Sequence, residues 1–268
     1  MALAATSQHG GQLLREWRQR RNLSQLQLAT GSAVSARHLS FIETGRARPS
    51  REMVLHLADR LDVPLRERNR LLLASGYAPK FGERPLDQDE MTPIRQALDR
   101  FLSAHEPYPA LVVDRRWNLV LTNRAVSVLT EGIAPELLTP PANALRATLH
   151  PQGMASRIVN FAEWSGHLLH RLRRQIAVSG DEDLEGLYHE LAGYPGVSEE
   201  SGSAEVAGSA DIVLPLHLRH GEAELVFLST VTTFGTALDI TLAELAVEAF
   251  YPAEAGTAAS LAELSELR

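Results

Sequence analysis

The chain has 268 residues, with 26 Lys+Arg, 33 Asp+Glu, a formal charge of −7 and no cysteine. That length accommodates two ordinary domains of roughly 100–200 residues, and the missing thiols exclude disulfides, zinc ribbons, cysteine nucleophiles and iron–sulfur clusters. The charge is uneven: residues 1–80 hold 13 basic and 6 acidic side chains, a balance of +7, and the rest holds 13 basic and 27 acidic, a balance of −14. A basic head has the sign that attracts a phosphate backbone, whereas the acidic body cannot wrap DNA. Twelve of the 13 head cations are Arg, and Lys80 is the one Lys of the chain; a guanidinium suits forked contacts to phosphate or guanine. No apolar stretch approaches the roughly 18 residues of a membrane helix, and residues 1–11 lack the basic-then-apolar order of a signal peptide, so a cytoplasmic protein without membrane contact is expected.

In chain order, Leu13, Leu14, Trp17 and Arg21 recur at helical spacing. Ser24 to Gln27 spells a capping box that opens a second helix. Ser35 caps a third, which ends at Gly45, and Ser50 caps a fourth with Met53, Val54, Leu57, Ala58 and Leu61 on one face. A fifth follows Asp62, Val63 and Pro64 and runs to about Ala74, and Gly76 and Pro79 close the unit. Residues 81–91 are polar, with Gly82 and Pro85, and read as a linker. Thr92 then serves as a cap before Pro93 at the first helical position of a helix ending near His105.

Beyond Pro107 the pattern changes. Residues 110–113 and 117–122 read as strands around a turn at 114–116. Ile158, Phe161, Ala162, Ser165, Leu168, Leu169, Leu172 and Ile176 mark a long helix up to Gly180, and Asp183 caps a shorter one ending at Gly193. Residues 197–209, small and acidic, read as a mobile loop. Strands at 212–219 and 223–233 share a tight turn at His220 and Gly221, residues 237–241 are β-prone, and 242–250 read as helical. The expected fold class is therefore an all-helical domain followed by an α+β domain, with a sheet of about five strands and a helical insertion between its halves.

The second and third helices have the make-up of a helix-turn-helix. Leu26 and Ala29 are expected to face inward, with Val34, Leu39 and Ile42 filling the seam, which leaves Ser35, Ala36, Arg37, His38, Ser40 and Phe41 available to a major groove. The run Leu-Ser-Gln-Leu-Gln-Leu-Ala at 23–29 with Val-Ser-Ala-Arg-His-Leu-Ser-Phe-Ile-Glu-Thr-Gly at 34–45 resembles the Cro and lambda-repressor type of DNA-binding domain, also called the xenobiotic-response-element family. The resemblance implies that Gln25 touches a phosphate or end base, that Ala36, Arg37 and Phe41 lie over base edges with Ser35, His38 and Ser40 beside them, and that Arg46 and Arg48 clamp the backbone. Ala33 departs from the pattern, standing where the family usually has a left-handed glycine, at a cost of ~1 kcal/mol.

The whole chain also resembles the MmyB-like subfamily of these regulators. The resemblance rests on Arg-His-Leu-Ser-Phe-Ile-Glu-Thr-Gly-Arg-Ala-Arg-Pro-Ser-Arg-Glu-Met-Val at 37–54, Leu-Arg-Glu-Arg-Asn-Arg-Leu-Leu-Leu-Ala-Ser-Gly-Tyr-Ala-Pro at 65–79 and Pro-Tyr-Pro-Ala-Leu-Val-Val-Asp at 107–114. It extends to Phe-Leu-Ser-Thr-Val-Thr-Thr-Phe-Gly-Thr-Ala-Leu-Asp-Ile-Thr-Leu-Ala-Glu-Leu at 227–245. It implies domains at 1–80 for DNA and 92–255 for a PAS-like ligand-binding body, with 256–268 as a tail left open between a docked helix and a loose end. No cofactor is implied beyond a bound fatty acid or other apolar small molecule. A sheet covered by helices encloses a natural cavity, and Trp117, Phe161, Trp164, Phe227 and Phe234 are its candidate lining.

Glu163, His167 and His170 share a helical face at a spacing that can hold a metal, yet they stand beside Arg171, Arg173 and Arg174 and read as a solvated face. Ser229, Thr230, Thr232 and Thr233 lack the glycine-flanked elbow of a nucleophile, and no phosphate loop or dinucleotide fingerprint is present. The expectation is a non-enzymatic regulator, binding a two-fold operator in double-stranded DNA as a homodimer. The alternative is a constitutive DNA-binding protein whose second domain serves only dimerisation or partner binding.

Overall fold

The computed structural model describes residues 9–198 and 213–266. The helices are α1 (Gly10–Arg20), α2 (Gln25–Gly31), α3 (Ala36–Glu43), α4 (Arg51–Arg60), α5 (Leu65–Ala74), α6 (Thr92–Ala104), α7 (Ser127–Thr130), α8 (Ala144–Leu149), α9 (Phe161–Ser179), α10 (Glu182–Ala192), α11 (Ile240–Ala243) and α12 (Ala255–Glu266). The strands are β1 (Ala110–Val113), β2 (Leu119–Thr122), β3 (Leu216–His220), β4 (Ala223–Thr233) and β5 (Ala246–Pro252). The chain divides into two compact units, the first from the described part of Met1–Arg84 with Ala177–Ser179 and Thr236–Ala243, the second from the remaining described residues.

In the first unit the serine caps form as the sequence predicts. Ser24 Oγ accepts from the Gln27 N–H while Gln27 Oε1 accepts from the Ser24 N–H, a reciprocal box, and Ser35 and Ser50 cap α3 and α4. Leu14, Trp17, Leu28, Leu39, Ile42 and Leu57 form the core. Leu26 is a correction: it is 67 % exposed, and Leu28 takes the inward place beside Ala29. The buried stripe of α2 runs through 28 and 29, and one turn back it reaches Gln25 rather than Leu26. Ala33 holds φ +52, the left-handed turn conformation inferred for it. Where α1 approaches α3, a Cβ on Gly11 would lie 1.9 Å from the Ile42 carbonyl oxygen, so the crossing accepts only glycine. The short helix α11 belongs to this unit, with Arg84 Nη1 donating to Asp239 Oδ2 at 2.8 Å and the Ile240 N–H to the Gly82 carbonyl at 2.8 Å.

The second unit is a five-stranded antiparallel sheet of order β2-β1-β5-β4-β3, a PAS-like curl with the last strand at its centre. One face carries Leu111, Val113, Leu216, Leu225 and Phe227, packed against Leu145, Trp164, Leu168 and Leu172 of α8 and α9. The helical insertion between β2 and β3 is as expected. The segment after β4 corrects the sequence reading: 237–241 is not a strand, and 246–252 is not helical but β5. The Leu, Ala and Glu of 242–249 favour helix in isolation, yet β5 completes two ladders, to β1 and to β4, and those tertiary hydrogen bonds override propensity.

Smaller differences have local causes. Thr92 is the first residue of α6 and makes no cap hydrogen bond. Asp181, not Asp183, caps α10, by accepting from the Asp183 N–H. The tail forms α12, with Leu261 buried and Thr257 Oγ1 accepting from the Val226 N–H at 2.9 Å. The loop predicted at 197–209 and the first residue of the strand predicted from 212 fall largely outside the described residues.

Candidate functional site

The first unit presents a reading head. On α3, Ala36, Arg37 and His38 are exposed, Ser40 and Phe41 are half-buried, and Ser35 Oγ is occupied as the cap, accepting from the His38 N–H at 3.2 Å. The Arg37 guanidinium lies 5.4 Å from the Phe41 ring centre, which splints the longest side chain of the outer face. Arg46 is exposed just beyond the helix. Arg48 is engaged elsewhere: its donors reach the Ser75 and Gly76 carbonyls at 3.2 Å each, and it lies over Tyr77. Arg48 therefore ties the end of α5 to the segment after α3.

Gln25 opens α2, and its Nε2 donates to Glu43 Oε2 at 2.7 Å. Glu43, 4 % exposed, also accepts two bonds from Arg18, from Nε at 2.7 Å and Nη2 at 2.9 Å, while Arg18 Nη1 donates to the Leu23 carbonyl at 2.7 Å. This network locks α1, the start of α2 and the end of α3 together, and the Glu43 hydrogen bonds hold the Arg18 guanidinium charged more firmly than usual. Sequence reading missed it, because a Glu inside Phe-Ile-Glu-Thr-Gly carries no sign of the arginine 25 residues earlier.

The second unit encloses a cavity of about 60 Å³ between the sheet and α7, α8 and α9. Trp117, Leu129, Leu145, Met154, Trp164 and Phe250 form much of its wall. Two of the five aromatics nominated from sequence, Trp117 and Trp164, are there. Phe227 is fully buried behind Phe250, its ring edge-on at 6.1 Å, while Phe161 is half-buried against the core and Phe234 lies past the last paired residue of β4. Phe250 and Glu248 join the lining because they belong to β5, which the sequence disguised as helix.

Trp117 stands at φ +67: its N–H donates to the Asp114 carbonyl at 3.0 Å, its carbonyl accepts from the Ala144 N–H at 2.8 Å, its Nε1 donates to Gln175 Oε1 at 2.8 Å, and the Arg171 guanidinium lies 4.3 Å from its ring centre. A non-glycine residue in that region is strained and persists because its surroundings enforce it. Glu248 is the one ionisable residue of the lining among the described residues. It is 6 % exposed and receives one hydrogen bond, from Arg171 Nη1 at 3.2 Å. Burial pushes its carboxyl above the ordinary glutamate value, against the opposing pull of Arg171.

A larger cleft of about 580 Å³ lies among α6, the end of β2 and α12, lined in part by Asp99, Leu102, Glu106, Asn123, Arg124 and Leu261. Its size suits a ligand, but two of its polar side chains already serve the fold. Asn123 Oδ1 accepts from the Ala110 N–H at 3.0 Å, its Nδ2 donates to the Tyr108 carbonyl at 2.7 Å, and Glu106 accepts from the Arg124 N–H at 2.8 Å. The smaller cavity is the more apolar of the two.

Among the described residues no helix is long and apolar enough to cross a membrane. No curated protein matches the chain. Residues 11–71 match the family described as a helix-turn-helix domain, and residues 94–264, more than half the chain, match the MmyB-like transcription regulator ligand binding domain. A DNA-reading helix pair and a ligand-binding body on one chain are the two halves of a DNA-binding transcription regulator, and this chain belongs to the MmyB-like family.

Proposed function

We propose that α3 reads an operator in double-stranded DNA and that an apolar small molecule, seated under the sheet of the second unit, changes the affinity of that reading. The carrying observation is an apolar cavity with one buried, incompletely paired carboxylate in a domain whose family binds ligands. Arg37 supplies the main base contact, Ala36 and Phe41 lie on neighbouring base edges, and Gln25 and Arg46 meet phosphates. A homodimer on a two-fold operator doubles a footprint that one recognition helix leaves short, in the cytoplasm where the operator lies.

The size of the cavity bears on mechanism. A volume of about 60 Å³ is far below the roughly 300–1,000 Å³ of drug-sized sites. A chain as long as a fatty acid enters only if α7, α8 or α9 yields. A ligand that fits an expanded arrangement and not this one binds the two states unequally, which is the requirement for shifting them.

The test is mass spectrometry of small molecules released from natively purified protein, with operator titration before and after their removal. A stoichiometric apolar compound that alters affinity supports the proposal. The small cavity favours one rival, a constitutive DNA-binding protein whose second unit only assembles it, and an unchanged titration with no released compound decides for that rival.

A further inference from the structure

Glu248 is unexplained by packing. It sits in the central strand of the sheet, its Cα partnered with Leu111 on one side and Val231 on the other, on the face where its neighbours Leu111 and Phe250 are apolar core residues. An apolar residue there would pack without desolvating a charge. The pairing that compensates it is thin: one bond from Arg171, with no hydrogen-bond partner for Oε2 among the described residues. Other polar groups of the same wall are engaged. Thr148 Oγ1 donates to the Ala144 carbonyl at 2.8 Å, Thr130 Oγ1 to the Val126 carbonyl at 3.3 Å, and Trp117 Nε1 to Gln175. An accessible oxygen with spare accepting capacity on a buried side chain in an apolar wall is a polar anchor awaiting a donor.

The sign of the pair restricts what that donor is. Arg171 and Glu248 sum to no charge, so a head group of either sign meets one member that repels it. A carboxylate is repelled by Glu248 in the lining, and an ammonium by Arg171, which is hydrogen-bonded to that carboxyl from outside the lining. A hydroxyl escapes both penalties, and because it can donate or accept it suits the Glu248 carboxyl in either protonation state.

Resting on the reading of this cavity as the ligand site, we propose that the ligand is a neutral apolar alcohol or phenol whose hydroxyl hydrogen-bonds Glu248, and not a fatty-acid anion. The apolar remainder lies against Trp117, Trp164 and Phe250, and the length it can reach is set by how far the helices over the cavity move.

The test uses the full chain and four probes of one chain length: hexan-1-ol, hexanoate, hexan-1-amine and hexane, titrated calorimetrically. Hexanol is expected to bind roughly tenfold or more tightly than each of the other three. Glu248→Gln should narrow the margin over hexanoate, and Ala147→Leu, which places a larger side chain on the cavity wall, should abolish binding. If Glu248→Gln does not fold, the ranking on the unaltered chain still decides. Hexanoate or hexylamine binding as tightly as hexanol, and lost in Ala147→Leu, overturns the head-group assignment while leaving a ligand site in place; hexane matching hexanol does the same. Failure of all four to bind, or binding that survives Ala147→Leu, removes the cavity as the ligand site and this inference with it.

Discussion

The two units each bury a glutamate against an arginine, and the pairs are built differently. In the reading head, Glu43 takes two bonds from Arg18 and a third from Gln25, and Arg18 Nη1 donates to a backbone carbonyl. In the ligand-binding unit, Glu248 takes one bond at 3.2 Å and retains an unpartnered oxygen against a cavity. A saturated pair of this kind fixes geometry, since every charge is compensated in one arrangement and stranded in any other. An unsaturated pair leaves capacity for something else to complete it. The same two residue types thus serve architecture in one place and recognition in the other.

Removing the saturated pair is expected to have the largest effect. Glu43→Ala strands a buried Arg18 and frees Gln25, and should destabilise the head by about 3–5 kcal/mol, read as a lower urea midpoint and lost operator binding. Glu248→Gln should cost less, because one bond is lost rather than three. It should also remove a pH dependence. With its folded carboxyl raised above 4.5 by burial, Glu248 favours the folded state below that value and progressively less as pH rises through the folded value, so the variant should lack this decline. Equal losses for the two substitutions, measured by urea unfolding on both sides of pH 4.5, would erase the distinction between the pairs.

Arg37→Ala should leave the melting curve unchanged and weaken operator binding by ~1–3 kcal/mol, with less effect on unrelated DNA. An equal loss on both DNAs would make Arg37 a phosphate contact instead. The smallest expected effect is at Ala33, held at φ +52. Ala33→Gly should raise the melting temperature of the head through relief of about 1 kcal/mol, and no rise would mean that the turn holds alanine without strain.

The head was far more legible in sequence than the ligand-binding unit. Three of its helices, α2, α3 and α4, start at serine caps, and α3 and α5 end near Gly45 and Gly76, all local signals within a few residues, and the long resemblance at 23–45 placed the outer face of α3. The departures were tertiary: Leu26 points outward because the buried stripe of α2 lies along Leu28 and Ala29, and Arg48 is held by carbonyls of Ser75 and Gly76, distant in sequence. In the second unit the helical periodicity of α9 and the hairpin of β3 and β4 were readable, but β5 was not. The leucines, alanines and glutamates of 242–249 favour a helix, and nothing local records that β1 and β4 stand ready on either side.

The sequence alone determined the two-part charge division, the serine caps of α2, α3 and α4 and the family, because each rests on residue type and order along the chain. Tertiary structure decided which residues meet across the chain: Arg18 with Glu43, Arg171 with Glu248, and a cavity walled by Trp117, Trp164 and Phe250 in place of Phe161, Phe227 and Phe234. A central strand receives its identity from the two edges it completes, and a buried charge receives its role from how many partners reach it. Neither quantity is a property of the residues that carry it.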